Sequence, residues 1–527
     1  MTAVAAKHLA RLSQESFERR GDYPSLLFEG RWYGSAELYE RSRRLAGGLM
    51  ELGIEPGERV VVCMANCPEV TVSYQALWRA GAVVTPAMFL LSPEDLRHVI
   101  AHSEASAVIT TPEFVDKVRE AVDGLDGVRH VISTHSESPA AGVLALDALE
   151  QCDPGPIVPR EDDDLAVLLY TGGTTGRAKG VMISHASLNF TGQAVEQAAH
   201  VDGVTRHLMT LPLAHAYGIL ITISGLHARE RPVTVLMRWF DPGGFLTLVQ
   251  EQSVHSSPLV PSMIQMLLAQ PVEEFDLSSL RFFGSGAAPL PPEVVDELQR
   301  RLPWVSIRQG YGLSETAALV STNPAGREKP GSVGLPIPGA EVRIVDDFER
   351  VLPAGEPGEI CVRSPAVMQG YWHAPEATAD ALRDGWLHTG DIGYLDDEGY
   401  LFIVDRKKDL IIRGGFNVYP RDVEDALLEH PAVQTAGVIG RPDLRHGEEV
   451  VAFVALHPGA EAAGEELVAW ARERIGGYKY PRQVVVIDAV PLTPVGKVDR
   501  KALRATLAAA QPEAAAQPEA AAQPQVS

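Results

Sequence analysis

Residues 171–180 read TGGTTGRAKG, four glycines, three threonines and one lysine in ten positions. Glycines let neighbouring backbone N–H groups turn toward one point. Threonine hydroxyls add donors, and a lysine adds a compact positive charge. That inventory suits a polyphosphate. The stretch follows the apolar run LAVLLY and precedes VMISH, so it is expected to join two strands, with Ser184 as the N-cap of a later helix. Two common phosphate patterns do not fit. A Walker A loop would need glycine five positions after Gly172, where Arg177 stands, and the GxGxxG fingerprint fails because the glycines fall at 172, 173 and 176. The expectation is a strand–loop–strand cradle built from backbone donors rather than a site on a helix dipole.

The elements around this loop set the fold class. A chain of 527 residues exceeds what one hydrophobic core usually holds, so two or more domains are expected. With 45% hydrophobic and 22% charged residues, a packed interior is expected. Up to about residue 400, short apolar strands (59–64, 82–85) alternate with helical patterns (68–80, 93–102), which implies βαβ units and parallel sheets. Gly/Pro turns between apolar runs at 331–363 predict a β-rich subdomain. The reading is α/β: a large N-terminal domain, 1–407, and a small mobile α+β domain, 408–505. The Ala/Gln/Pro repeats at 506–527 are expected to be disordered.

Bulk properties exclude several classes. A net charge of −23 argues against nucleic acid or an anionic membrane as the main partner. Cys63, Cys67, Cys152 and Cys361 are too few and too scattered for a disulfide framework, and lack the spacing of a zinc site. The opening residues carry charges throughout and no apolar core of a signal peptide. The longest apolar stretch, near 216–226, is too short to span a bilayer. A soluble, cytoplasmic protein is expected.

Six further stretches give the loop its context: PLAHAYG (212–218), GSGAAPL (284–290), QGYGLSET (309–316), WLHTGD (386–391), DRKKDLIIRGGFNVYP (405–420) and PLTPVGKVDR (491–500). In this order and spacing, the chain from about 20 to 505 resembles the acyl-adenylate-forming superfamily of acyl-CoA synthetases, luciferases and peptide-synthetase adenylation domains. The resemblance implies two half-reactions. A carboxylate attacks the α-phosphate of ATP to give acyl-AMP and pyrophosphate; a thiol, usually that of CoA, then displaces AMP. The small domain would rotate between them.

The resemblance also implies roles. Thr171, Thr174, Thr175, Gly176 and Lys179 would hold the β- and γ-phosphates. Ser314, where the family usually has threonine, would donate to the α-phosphate, and Glu315 would hold Mg²⁺ with hard oxygens. Tyr311, beside Gly312, would stack on adenine, with Gly286, Ala287 and Ala288 as the adjoining backbone wall. Asp391 would take the ribose diol and Arg406 a second ribose or phosphate contact. Lys497 would be the adenylation lysine, Lys408 the hinge, and Gly414 and Gly415 part of the strand lining a pantetheine tunnel, with Arg413 and Arg441 as CoA-phosphate contacts. His215 would orient the carboxylate or gate its pocket, or serve the fold alone.

The thiol is expected to be CoA. PLAHAYG has no aspartate for a substrate ammonium, no carrier domain follows, and no insertion precedes the TGD motif. Mostly small and apolar positions at 215–219, 258–263, 284–287, 310 and 317–320 suit an apolar, bulky or aryl acid, with fatty and natural-product acids both open. An enzyme of one half-reaction, or a non-catalytic nucleotide-binding homologue, also stays open at this stage.

Overall fold

The computed structural model describes residues 8–135, 141–171, 177–493 and 497–509. The chain divides into two compact units, Met1–Ile403 and Val404–Ser527. The division falls inside the strand Leu401–Arg406, slightly ahead of the expected 407/408 boundary.

Two large sheets build the first unit. In the eight-stranded sheet the strands Leu165–Thr171, Val83–Pro86, Arg59–Cys63, Ala107–Thr110, His130–Ser133 and Val143–Ala145 run parallel. Helices such as Pro68–Arg79 and Pro93–His102 connect them. Val60, Val61, Val62 and Cys63 are all essentially inaccessible, the mark of a central parallel strand covered on both faces. At one edge, Leu165–Thr171 turns back antiparallel into Lys179–Ser184 with Thr171 opposite Lys179. The loop at 171–180 thus connects two strands, and Ser184 caps the helix His185–Ala199 by accepting from Ser187 N–H. Gly370–Tyr371 pairs with the far side of that hairpin.

In the nine-stranded sheet, Ser256–Leu259, Phe282–Ser285 and Ser306–Tyr311 are parallel neighbours, with Ser285 opposite Gln309. The β-rich subdomain is antiparallel: Glu341–Val345, Gly358–Arg363 and Trp386–Leu395.

The second unit is α+β. Strands Ile411–Arg413, Phe416–Val418, Val433–Asp443, Gly447–Leu456 and Gln483–Val486 form one sheet, with helices Pro420–Leu428, Gly464–Arg474 and Arg500–Ala509. The last helix corrects the expected start of the disordered tail at 506: Leu503 and Leu507 are buried on its inner face, so apolar spacing carries the helix past that point. Among the described residues no helix is long and apolar enough to cross a membrane.

Four histidines of the first unit are held neutral. Burial pulls His8, His207 and His227 down to about 4, and His185 to about 3; the His8 and His185 rings stack with centroids 4.5 Å apart. An unfolded chain protonates such groups near 6.5, the folded chain only near 4, so between these values the unfolded state binds more protons. Stability is therefore full above pH 6.5 and is lost as pH falls toward 4, by up to about 3 kcal/mol per histidine. Melting temperature is expected to drop across this window, and His207→Gln to make the drop shallower. A flat wild-type profile down to pH 4.5 would contradict this.

Candidate active site

Two tyrosine–carboxylate pairs frame the segment 311–320. Tyr311 ends a parallel strand, and crevices in such sheets open at the carboxyl ends of strands. Its hydroxyl donates to Asp391 Oδ2 at 2.7 Å, and Asp391, from the antiparallel subdomain, is only 4% exposed. Glu315 stands in the short turn Ser314–Thr316. Its Oε1 accepts from the Tyr371 hydroxyl at 2.8 Å. Burial, and then the charge of Glu315, push that phenol well above its ordinary range, so it stays a donor. Lys179 Nζ lies 5.1 Å from the centroid of the Tyr371 ring. Thr171, Lys179, Tyr371 and Glu315 thus form a run of contacts from the glycine hairpin to a carboxylate. Thr174, Thr175 and Gly176 lie outside the described residues.

Tyr371 was not visible to sequence reasoning as a site residue. Its signal was an aromatic directly after Gly370, whose φ of 144° and close approach to Thr378 leave no room for a Cβ.

Backbone close approach explains Gly312. A Cβ on Gly312 would stand 2.1 Å from the Ala318 carbonyl oxygen, because the chain folds back so that Val320 N–H donates to Tyr311 O at 2.7 Å. Ala317 and Ala318 have φ of 46° and 82°, and Ala287 has 69°. Left-handed backbone costs a residue with a Cβ roughly 1–2 kcal/mol, and such outliers gather where geometry is held for a ligand. Gly286 lies beside Gly310, with 3.4 Å between its would-be Cβ and the Gly310 carbonyl oxygen; Ala288 follows in the same loop.

His215 is the N-cap of the helix Ala216–His227, its Nδ1 accepting from Tyr217 N–H at 3.3 Å. The next turn puts Tyr217 across the end of the neighbouring sheet: a Cβ on Gly284 would be 3.0 Å from its hydroxyl. Burial alone raises this phenol far above its usual range.

The remaining candidates belong to the second unit. Arg406 ends the strand Leu401–Arg406, and Lys408 sits in the turn Lys407–Asp409. Gly414 and Gly415 are not strand residues, a correction to the expectation above. With φ of 59° and 83° they form the two-residue turn between Ile411–Arg413 and Phe416–Val418, and two positive φ values are what such hairpins require. Arg413 is paired with Glu449, and Arg441 donates to Gln483. Around Lys497, Thr493 N–H donates to the Lys497 carbonyl at 2.7 Å and Thr493 Oγ1 accepts from Lys497 N–H at 3.2 Å.

A magnesium ion fits the first set. Such ions take one or two carboxylates and complete their shell with substrate phosphates and water. Glu315 presents hard oxygens at the end of a contact run that starts at Lys179.

Known proteins match this chain along most of its length. Residues 13–372 match the family described as AMP-binding enzyme, and residues 422–497 match the AMP-binding enzyme C-terminal domain. A feruloyl-CoA synthase from Amycolatopsis sp is 39% identical over 89% of this chain and 93% of its own length. A long-chain-fatty-acid–CoA ligase from Bacillus subtilis is 35% identical over 94% of each. Among solved structures, ATP-bound MatB from Rhodopseudomonas palustris superposes with a TM-score of 0.86 at 30% identity, covering 94% of this chain and 98% of that one.

Gly312→Ala is expected to lower stability by about 1–3 kcal/mol through overpacking and to abolish most acid-dependent ATP–pyrophosphate exchange. Tyr371→Phe, which removes the donor to Glu315, is expected to reduce the exchange rate about tenfold, as loss of one hydrogen bond to a charged group does, while leaving the melting temperature nearly unchanged.

Proposed function

The chain belongs to the AMP-binding enzyme family, and on that premise we propose how its residues divide the work of an AMP-forming acid–CoA ligase. A carboxylate oxygen attacks the α-phosphorus of ATP, and pyrophosphate leaves with the bonding electrons. The CoA sulfur then attacks the acyl carbon of acyl-AMP, and AMP leaves. The observation that carries the assignment is that two carboxylate–tyrosine pairs meet in the segment 311–320. Asp391 with Tyr311 offers a diol acceptor, and Glu315 with Tyr371 offers a metal ligand joined to the glycine hairpin. That separation of roles along one short segment matches the ribose and phosphate ends of one nucleotide.

Within this reading Tyr311 stacks on adenine against Gly286, Ala287 and Ala288, with Gly312 admitting the close backbone turn. Asp391 takes the ribose hydroxyls and Arg406 a second ribose or phosphate contact. Thr171, Thr174, Thr175, Gly176 and Lys179 grip the leaving pyrophosphate, and Ser314 donates to the α-phosphate. Magnesium held at Glu315 supplies charge neutralisation for the phosphates. Lys497 bridges the substrate carboxylate and the α-phosphate as negative charge gathers. Lys408 serves as the hinge for domain alternation, and the Gly414–Gly415 turn leaves a narrow path for pantetheine. His215 acts through the helix it caps, which sets Tyr217 at the acid pocket.

The acid we propose is aromatic. Gly284 and Gly286 leave room for Tyr217, whose hydroxyl would stand 3.0 Å from a Cβ on Gly284 and whose ring would stand 3.6 Å from one on Gly286; an aromatic wall suits a planar acid, and a feruloyl-CoA synthase is among the relatives. A fatty acid is the second reading, favoured by the similarity to a long-chain-fatty-acid–CoA ligase along 94% of the chain.

The test separates the half-reactions. Acid-dependent ATP–pyrophosphate exchange is measured over cinnamic, benzoic and fatty acids, and thioester formation is measured from preformed acyl-AMP and CoA. Both activities are expected, strongest on cinnamic-type acids. Lys497→Ala is expected to lower exchange by about 10²–10³-fold and to leave thioester formation from acyl-AMP largely intact. Thioester formation without exchange in the wild type would instead mean an enzyme of the second half-reaction alone.

A further inference from the structure

The strand that carries Asp391 is not a regular one. Gly358–Arg363 pairs antiparallel with Trp386–Leu395, but the register slips: Glu359 faces Ile392, while Cys361 faces His388. Ile360 therefore opposes three residues, Thr389, Gly390 and Asp391, where a regular ladder has one. Such a bulge bends the strand and re-aims a side chain. Gly390 has φ of 69°, a conformation that suits glycine.

Three hydrogen bonds clasp this bulge. Thr389 Oγ1 donates to the Ile360 carbonyl at 2.8 Å, and Asp391 N–H donates to Thr389 Oγ1 at 3.1 Å. The third comes from across the ladder: Gly390 N–H donates to Glu359 Oε1 at 3.2 Å. Glu359 is 8% exposed, and a carboxylate so placed needs fixed partners. The buried His388 ring supplies one, its Nδ1 3.5 Å from Glu359 Oε2. His388 also lies 3.4 Å from Cys361 Sγ and 3.4 Å from Glu349 Oε2. A cysteine, a histidine and a carboxylate in contact have the makings of a nucleophilic relay. Burial argues against that role, because it pushes the Cys361 thiol up to about 11 and so keeps it neutral. The cluster is a scaffold beneath the bulge.

We infer that Glu359 is a positioning residue for nucleotide recognition: it holds the Gly390 N–H, sets the shape of the bulge, and so fixes where Asp391 meets the ribose. The inference rests on the reading of Asp391 as the ribose ligand. Tyr311 steadies the Asp391 carboxylate directly, whereas Glu359 acts on its backbone from the opposite strand.

The test is the preference for ATP over 3′-deoxy-ATP and 2′-deoxy-ATP, taken as a ratio of kcat/KM in acid-dependent adenylation. A ratio is independent of the fraction of folded enzyme, so a merely structural loss does not move it. Wild type is expected to prefer ATP by about tenfold or more, the worth of a hydrogen bond to a charged group. Glu359→Ala is expected to bring the ratio close to one and raise KM for ATP about tenfold. Glu359→Gln, which keeps an acceptor for Gly390 N–H, is expected to retain the preference. Should Glu359→Ala fail to fold, Thr389→Val removes another clasp of the same bulge and is read on the same ratio. A wild-type ratio in both clasp variants, with the preference lost in Asp391→Asn, would overturn the inference while leaving the role of Asp391 standing. A wild type indifferent to the deoxy analogues, or an Asp391→Asn variant that keeps the preference, would overturn the ribose assignment and the inference with it.

Discussion

Two phenol-to-carboxylate hydrogen bonds, Tyr311 to Asp391 and Tyr371 to Glu315, are the interactions on which the arrangement of the first unit's polar residues depends. A carboxylate withdrawn from water must find donors or neutralise, and a phenol can donate without adding charge. Each tyrosine orients its carboxylate through one donated hydrogen bond. Each also joins separate parts of the fold. Tyr311 comes from the nine-stranded sheet and Asp391 from the antiparallel subdomain; Tyr371 comes from the edge of the eight-stranded sheet and Glu315 from the turn after the nine-stranded one. Three sheets thus contribute polar groups to one short segment.

The segment itself carries its geometry in the backbone. Gly312 permits the chain to return on itself, and Ala317 and Ala318 are held in left-handed conformations that their own side chains do not favour. That strain persists only because surrounding packing overdetermines it. Thr316, Ala317 and Val320 are all buried. Donors and carboxylates positioned by rigid backbone need little reorganisation when charge develops on a substrate.

Much of this was legible in the sequence, for reasons specific to each feature. The strand–helix alternation from 59 to 102 was readable because fully buried parallel strands are short continuous apolar runs, and RVVVC is one. The hairpin around 171–180 was readable because glycine density and β-prone flanks are local signals. What escaped were relations between distant residues. Nothing near MQGYW announces that Tyr371 reaches Glu315, 56 positions away. Glu359 looked like any strand glutamate, since a register slip is a property of two strands and leaves no mark on either alone. The resemblance places Gly414 and Gly415 on a strand, whereas they form the turn of a hairpin whose two strands are only three residues long, and a hairpin that small reads in sequence as one extended segment. The tail expected at 506–527 begins later because alanine-rich sequence reads alike whether it packs, as the helix carrying Leu503 and Leu507 does, or does not.

The bulge at Thr389–Asp391 adds an even number of residues to its strand, since Glu359 and Cys361 are two apart while Ile392 and His388 are four apart. Parity decides what the sheet can tolerate. Deleting one residue would turn every later side chain of the strand to the opposite face, burying polar groups and exposing Ile392. Deleting two would restore a straight ladder with its inward and outward faces intact. The two additional residues can therefore come or go only as a pair, and losing them would take away the bend that brings Asp391 to Tyr311.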